Sequence, residues 1–229
     1  TEIGIPETCK LLLTTREREV CREMRLSEEN VFKVDLMKTN EARELFKREA
    51  GDQVDDGKFK EVVDRLLSKC GGLPLAIVAT ANALKDKPLP RWNKFAKDVE
   101  KPISIKNVPG DYRDMYSILN ASYKFIESKE KKKFFLLACL SPLCSSASIE
   151  NLMRYGIGLN LFQHVNNLCE AMEEANTWTS ELLSSSMLLE GDAEGYFKIH
   201  DIIRAFGISL AAKGVWLYNN ENPCFLIYK

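Results

Sequence analysis

Histidine is scarce in this sequence: only His164 and His200 occur, and neither stands in a cluster of ligand-type residues at zinc spacing. No Cys-x-x-Cys pair is formed by the cysteines at 9, 21, 70, 139, 144, 169 and 224, and their odd number cannot close completely into disulfides. The expected state is reduced, mostly buried thiols in a cytoplasmic protein. There is no Gly-x-x-x-x-Gly-Lys phosphate loop, no paired-carboxylate signature, and no Ser or Cys nucleophile motif to accompany His200-Asp201. An autonomous enzyme is therefore not expected. The apolar run at 134–140 falls far short of the ~20 residues of a membrane span, and no signal-peptide pattern is present. An excess of one charge is missing too: 32 Lys and Arg oppose 33 Asp and Glu, for a net −1. General binding to nucleic acid or to a membrane surface needs a basic face, which this balance does not supply. Internal repeats, low-complexity tracts and an initiator Met are also lacking.

What is present suits a soluble core. The 229 residues, 45% hydrophobic and 28% charged, imply one or two units. A chain of this size buries about 70% of its unfolded surface.

Leu11-Leu12-Leu13 followed by Thr14-Thr15 reads as a strand covered on both faces, as in a parallel sheet. Residues 31–36 alternate and read as a second, half-buried strand. Two strands do not make a doubly covered parallel sheet, so further strands are expected before Thr1, and the chain reads as a fragment. Its orphan strand edge is expected to self-associate.

From there the pattern is helical. Thr39 is expected to cap a helix over 39–50 with Ala42, Leu45 and Phe46 inward. Phe59, Val62, Val63, Leu66, Leu67 and Cys70 form one apolar stripe, with Glu61 and Arg65 as an i, i+4 ion pair on the outer face. Gly71-Gly72 ends that helix, and Pro74 is pre-set for the first turn of the next. The helix over 74–84 is apolar nearly all round and should be central. Trp92, Phe95, Ala96 and Val99 mark another helix, and 101–111, with Pro102, Pro109 and Gly110, reads as a linker. Beyond it, helices are expected around Met115 to Tyr123, over 129–140, from Ser148 as cap over 149–155, and through Val165, Leu168, Met172, Ala175, Leu182 and Leu183. Residues 188–190 and 196–199 flank the turn 191–195 as a β-hairpin, and a last helix starts at Asp201 with Ile203, Phe206 and Leu210 inward.

Three short islands carry candidate binding chemistry. Thr14-Thr15-Arg16 places a guanidinium at the carboxyl end of a strand, where open α/β sheets bind ligands and where it can meet a terminal phosphate; a solvated charged helix start is the plainer reading. Gly72-Leu73-Pro74-Leu75-Ala76 offers an apolar rim to a purine, or is simply a helix break. His200-Asp201 follows a strand and opens a helix: Asp201 reads as the cap, and His200 can donate to a phosphate near the positive helix end.

Together these islands, in this order, resemble the back half of the NB-ARC nucleotide-binding module of plant disease-resistance proteins. Lys10-Leu11-Leu12-Leu13-Thr14-Thr15-Arg16 is similar to the sensor strand of that family. Lys69-Cys70-Gly71-Gly72-Leu73-Pro74-Leu75-Ala76 matches its GLPL motif, and Ile199-His200-Asp201 resembles its MHD motif with Ile in place of Met. Residues 134–142 resemble the intervening Cys/Phe/Leu-rich motif less well, with Ser141 replacing the usual aromatic before Pro142.

The resemblance implies a mainly α chain with a small α/β remnant: the end of a P-loop-type sheet over 1–38, a helical subdomain over 39–105, a winged-helix-like subdomain over 112–215, and a linker from 216 to 229 toward a leucine-rich repeat domain. It implies an ADP/ATP switch of a plant intracellular immune receptor of the coiled-coil type, with the phosphate loop and the Mg ligands that accompany ATP in a preceding half. Arg16 with Thr15 would sense the γ-phosphate; Leu73, Pro74 and Leu75 would meet adenine; His200 would contact the ADP β-phosphate; and Asp201 would cap its helix and support His200. Implied partners are the N-terminal nucleotide-binding half, a coiled-coil domain and the repeat domain, with an oligomer on activation. This chain alone should bind ADP or ATP weakly or not at all, because the phosphate cradle and Mg ligands are absent. The competing class is a winged-helix nucleic-acid-binding or protein-interaction module; the few cations after 200 (Arg204 and Lys213) and the acidic turn (Asp192, Glu194) weigh against nucleic acid.

Overall fold

The computed structural model describes residues 9–102, 112–141 and 146–212. The chain divides into two units, Thr1–Asp35 and Leu36–Lys229.

The first unit is small and has no buried side chain among its described residues. It holds one short helix, α1 (Arg18–Glu23), and a 3₁₀ turn at Glu28–Asn30, tied by an Arg18–Glu28 ion pair of 2.7 Å. The two strands expected at 11–15 and 31–36 do not form: both stretches are without strand structure. A strand exists by hydrogen bonding to a neighbour, and no described segment pairs with either of them. Their apolar side chains consequently face outward, with Leu12 at 88%, Phe32 at 83% and Val34 at 95% exposure.

The second unit is mainly helical, as its periodicity implies. It opens with α2 (Thr39–Ala50), α3 (Lys60–Cys70), α4 (Pro74–Leu84) and α5 (Leu89–Glu100). Thr39 is the first helical residue of α2 rather than its cap; the Glu41 carboxylate instead accepts from the Lys38 N–H at 2.8 Å, closing the exposed first turn. The apolar stripe of α3 is buried from Val62 to Cys70. Arg65 does not pair with Glu61. Its guanidinium reaches both carboxylate oxygens of Glu100 on α5, at 2.8 and 2.9 Å, because a fork-shaped cation gains more from a bidentate partner across a helix interface than from one carboxylate along its own helix.

Gly71 takes the left-handed conformation that ends α3, and Pro74 starts α4. With Ala76, Ile77, Ala79, Thr80, Ala81, Ala83 and Leu84 all buried, α4 is central, packing on α2, α3 and the helix that follows α5. The aromatic centre of this part is Trp92, fully buried, edge-on to Phe46 at 5.8 Å and to Phe59 at 4.9 Å. Its indole N–H donates to the Lys87 carbonyl at 2.9 Å, so burial leaves no polar atom unpaired.

The remaining helices are α6 (Arg113–Phe125), α7 (Lys129–Leu140), α8 (Ile149–Gly158), α9 (Leu168–Ser184) and α10 (Asp201–Leu210). Ser148 caps α8 as expected, its Oγ accepting from the Asn151 N–H. Leu168 is the first residue of α9 and is 67% exposed, ahead of the turn that meets the core. The expected hairpin is present as β2 (Leu189–Glu190) and β3 (Tyr196–Lys198). A further strand, β1 (Ala147–Ser148), joins it, giving an antiparallel sheet in the order β1-β3-β2 with Ala147 opposite Phe197 and Leu189 opposite Lys198. The succession α7, β1, α8, α9, β2, β3 is that of a winged helix. Its core is Phe134 against Trp178 at 5.3 Å, with Phe162 stacked on the same indole at 5.0 Å.

Five cysteines fall among the described residues, all free; Cys70 and Cys139 are buried, Cys21 is half-buried, and Cys9 and Cys169 are exposed. The expectation of mostly buried thiols thus holds for only two of them. Cys144, Cys224, Pro109, Gly110, Pro142, Lys213, most of the linker at 101–111 and the segment 216–229 lie outside the described residues. Among the described residues no helix is long and apolar enough to cross a membrane, and no group of His, Cys, Asp and Glu could hold a metal ion.

Candidate functional site

Thr15 and Arg16 lie on the first unit, while Leu73, Pro74, Leu75, His200 and Asp201 lie on the second. Thr15 is exposed, and its Oγ1 accepts from the Glu17 N–H at 3.1 Å, a local turn that leads into α1. Arg16, between them, is exposed.

In the second unit the Gly-Leu-Pro-Leu segment is shaped by three local constraints. Gly71 and Gly72 both have positive φ, 58° and 73°. Gly72 also lies against the chain at 36–37, where its carbonyl accepts the Met37 N–H at 3.0 Å. A side chain at Gly72 would meet the Met37 carbonyl oxygen at 2.5 Å, so glycine is required there twice over, by conformation and by contact. Pro74 then fixes the first turn of α4, which needs no N–H at that position. The result leaves Leu73 and Pro74 exposed and Leu75 half-buried at the start of a buried helix. Just before them, Cys70 is buried beside Thr80, with Sγ 3.6 Å from Oγ1, and burial pushes its thiol up to about 12. It is an inert packing group, not a nucleophile.

The start of α10 departs from expectation in one respect. Asp201 is the first helical residue and exposed; the cap is His200, whose Nδ1 accepts from the Ile202 N–H at 3.3 Å. The backbone decides this, since His200 is extended (φ −65°, ψ 136°) while Asp201 has already entered the helix. Asp201 still adds a carboxylate to the positive first turn. A ring nitrogen that accepts carries no proton, so the N–H of this exposed imidazole is at Nε2.

Helices α4 and α10, which carry these two starts, both pack on α6. Behind α10, Arg204 donates to the Ser141 carbonyl at 2.7 Å, satisfying the end of α7. Gly207 is closely packed against Cys139 of α7. These contacts seat α10, and no sequence pattern marks them, because they join residues more than sixty positions apart.

The arrangement fits a nucleotide in its chemical types. Within the second unit, an exposed apolar pair, Leu73 and Pro74, suits a purine face, and an N–H donor at a helix start, His200, suits a phosphate oxygen. A helix that reads nucleic acid carries cations, and α9 carries none. In the winged-helix succession α9 is the second helix of the helix–turn–helix, the one that would enter a groove, and it carries Glu170, Glu173, Glu174 and Glu181 with no Lys or Arg.

Residues 2–56 match the NB-ARC domain family. The chain is 31% identical over 214 residues to "Disease resistance protein At4g27190" of Arabidopsis thaliana, an alignment covering 90% of this chain and 21% of that protein. It is 29% identical to "Probable disease resistance protein At4g27220" (90% of this chain, 23% of the relative) and 27% identical to "Disease resistance protein SUMM2" (92% and 24%), both from the same plant. The chain spans about a fifth to a quarter of the length of these relatives.

Proposed function

The chain carries NB-ARC domain sequence and is homologous over most of its length to plant disease resistance proteins, and from that premise we propose that it is the later part of an ADP/ATP-dependent switch in a plant immune receptor of the cytoplasm. When bound, a nucleotide supplies a purine face and a polyphosphate charge that can tie separate subdomains together. The observation that best supports this reading is the cap of α10. His200 spends Nδ1 on its own helix and so keeps Nε2–H as a donor, beside the positive first turn.

In this reading Leu73 and Pro74 receive the base, His200 donates to the β-phosphate of ADP, and Arg16 with Thr15 answers to the γ-phosphate of ATP. Asp201 tunes the first turn of α10 without capping it. Exchange of ADP for ATP would remove the contact specific to the resting state, and the equilibrium would move by the difference in affinity between the two states. The subdomains would be those outlined by the sequence, 1–38, 39–105 and 112–215. The phosphate loop and Mg ligands would be supplied by a preceding nucleotide-binding half, and a coiled-coil and a leucine-rich repeat domain would be the other partners.

The test is dissociation of a fluorescent ADP from a protein that joins this chain to a phosphate-loop half. His200→Ala should release ADP about tenfold faster, the size of one lost hydrogen bond to a charged group. Arg16→Ala should weaken ATP and spare ADP. An unchanged ADP off-rate in His200→Ala refutes the assignment, and retention of DNA on a filter at low salt would favour the winged-helix alternative.

A further inference from the structure

Ser186 sits just past α9 with φ 56°, a left-handed backbone that glycine and asparagine adopt readily and serine rarely does. Its N–H donates to the Leu183 carbonyl at 2.9 Å, and the next two N–H groups, of Met187 and Leu188, both donate to the Leu182 carbonyl. The turn that ends α9 is closed by these backbone bonds and by the Ser185 hydroxyl, which donates to the same Leu182 carbonyl at 3.1 Å; none of them uses the Ser186 side chain, and a glycine would suit that position better. What serine adds is a hydroxyl, which accepts from Nδ2 of Asn82 at 2.8 Å, across 104 positions of sequence. Ser186 is buried and Asn82 is half-buried, so water competes poorly for the bond.

The two residues stand at informative places. Asn82 is on α4, two turns beyond Pro74. Ser186 stands three residues before β2, and the hairpin leads from there to His200. Asn82 projects from a helix whose buried residues are otherwise alanine, isoleucine, leucine and Thr80, where a small apolar residue would meet the packing need. Both residues depart from what their local structure favours, and the bond between them accounts for both departures.

We propose that Asn82 and Ser186 are a positioning pair that latches the β2–β3–α10 end to α4, and so holds the Pro74 start of α4 and the His200 cap of α10 at one fixed separation. The meaning of that separation rests on the nucleotide reading above; the latch itself does not. Neither residue touches nucleotide in this scheme. They act through the elements that carry Pro74 and His200.

The latch is tested by native-state hydrogen exchange on the 229-residue chain. Asn82→Ala and Ser186→Ala should each speed exchange of the β3 amides and of the Ile202 amide about fivefold, the size of one part-buried hydrogen bond, while amides of α3 and α5 stay unchanged. The double variant should be no faster than either single one. The swap Asn82→Ser with Ser186→Asn should restore protection, because asparagine tolerates the left-handed conformation and the pair keeps its summed length. Equal acceleration everywhere, or additive effects with no rescue, overturns the proposal. ADP dissociation from the joined protein separates the two levels. Faster release in Asn82→Ala that the swap reverses supports the latch together with its nucleotide role. Local acceleration with ADP release unchanged supports the latch and removes its role in nucleotide binding, while the nucleotide reading itself stands or falls with His200→Ala.

Discussion

Alanine at Gly72 and alanine at Gly71 look like the same substitution, and the structure separates them. Both glycines have positive φ, so each alanine adds backbone strain of roughly 1–2 kcal/mol. At Gly71 nothing lies within 4 Å of the new methyl, and strain is the whole effect. At Gly72 the methyl would lie 2.5 Å from the Met37 carbonyl oxygen, 3.1 Å from the Met37 nitrogen and 3.2 Å from Leu36 Cβ. Two of these obstacles are backbone and cannot rotate away. The chain at 36–37 must move and give up the Met37-to-Gly72 hydrogen bond of 3.0 Å. Overpacking of roughly 1–3 kcal/mol and about 1 kcal/mol for the bond bring Gly72→Ala to about 3–6 kcal/mol. For a chain of this size each kcal/mol shifts Tm by roughly 2–4 °C, so the variants should melt roughly 5–15 °C apart. Thermal melts followed by circular dichroism, with urea titrations of the same samples, measure the gap. Equal destabilisation of the two variants would refute the docking of 36–37 on Gly72, and with it the account of how Leu73 and Pro74 are presented.

Three other outcomes are expected. His200→Ser should keep the cap and hold stability within a few tenths of a kcal/mol, whereas His200→Ala loses about 1 kcal/mol in urea titration; both should release ADP faster from the joined protein, and restored ADP retention in His200→Ser would mean that His200 is only a cap. Stability should fall as pH rises from about 9 to about 12, because burial pushes Cys70 and Tyr123 up to about 12 in the folded protein, and the unfolded chain releases those protons first; a flat urea midpoint across that window would contradict the burial of both groups. The chain should self-associate through its outward apolar stretches, and Leu12→Lys with Val34→Lys should reduce this in light scattering; a clean monomer before substitution would rule it out.

The helices and the central place of α4 were legible in the sequence because apolar residues at helical spacing leave one way to bury them, and α4, apolar all round, must be buried on every side. Gly71, Gly72 and Pro74 announced a chain stop and restart through their own backbone limits, which hold in any context. The exposed start at Leu73-Pro74 and the helix opening at 200–201 were equally readable as local events. What sequence could not decide is pairing. Leu11-Leu12-Leu13 has the composition of a buried strand, yet a strand is a property of two segments, and no described partner pairs with it. Arg65 had two carboxylates within its reach, and only the packing of α3 on α5 selected Glu100. The cap of α10 passed from Asp201 to His200 on a backbone angle that one residue's position in space determines. The Asn82–Ser186 bond, the third strand β1 and the seating of α10 by Arg204 all join residues distant in sequence, where no period or spacing carries a signal. Local sterics and burial are written residue by residue along the chain, whereas partners are chosen by three-dimensional proximity, which exists only once the core has formed.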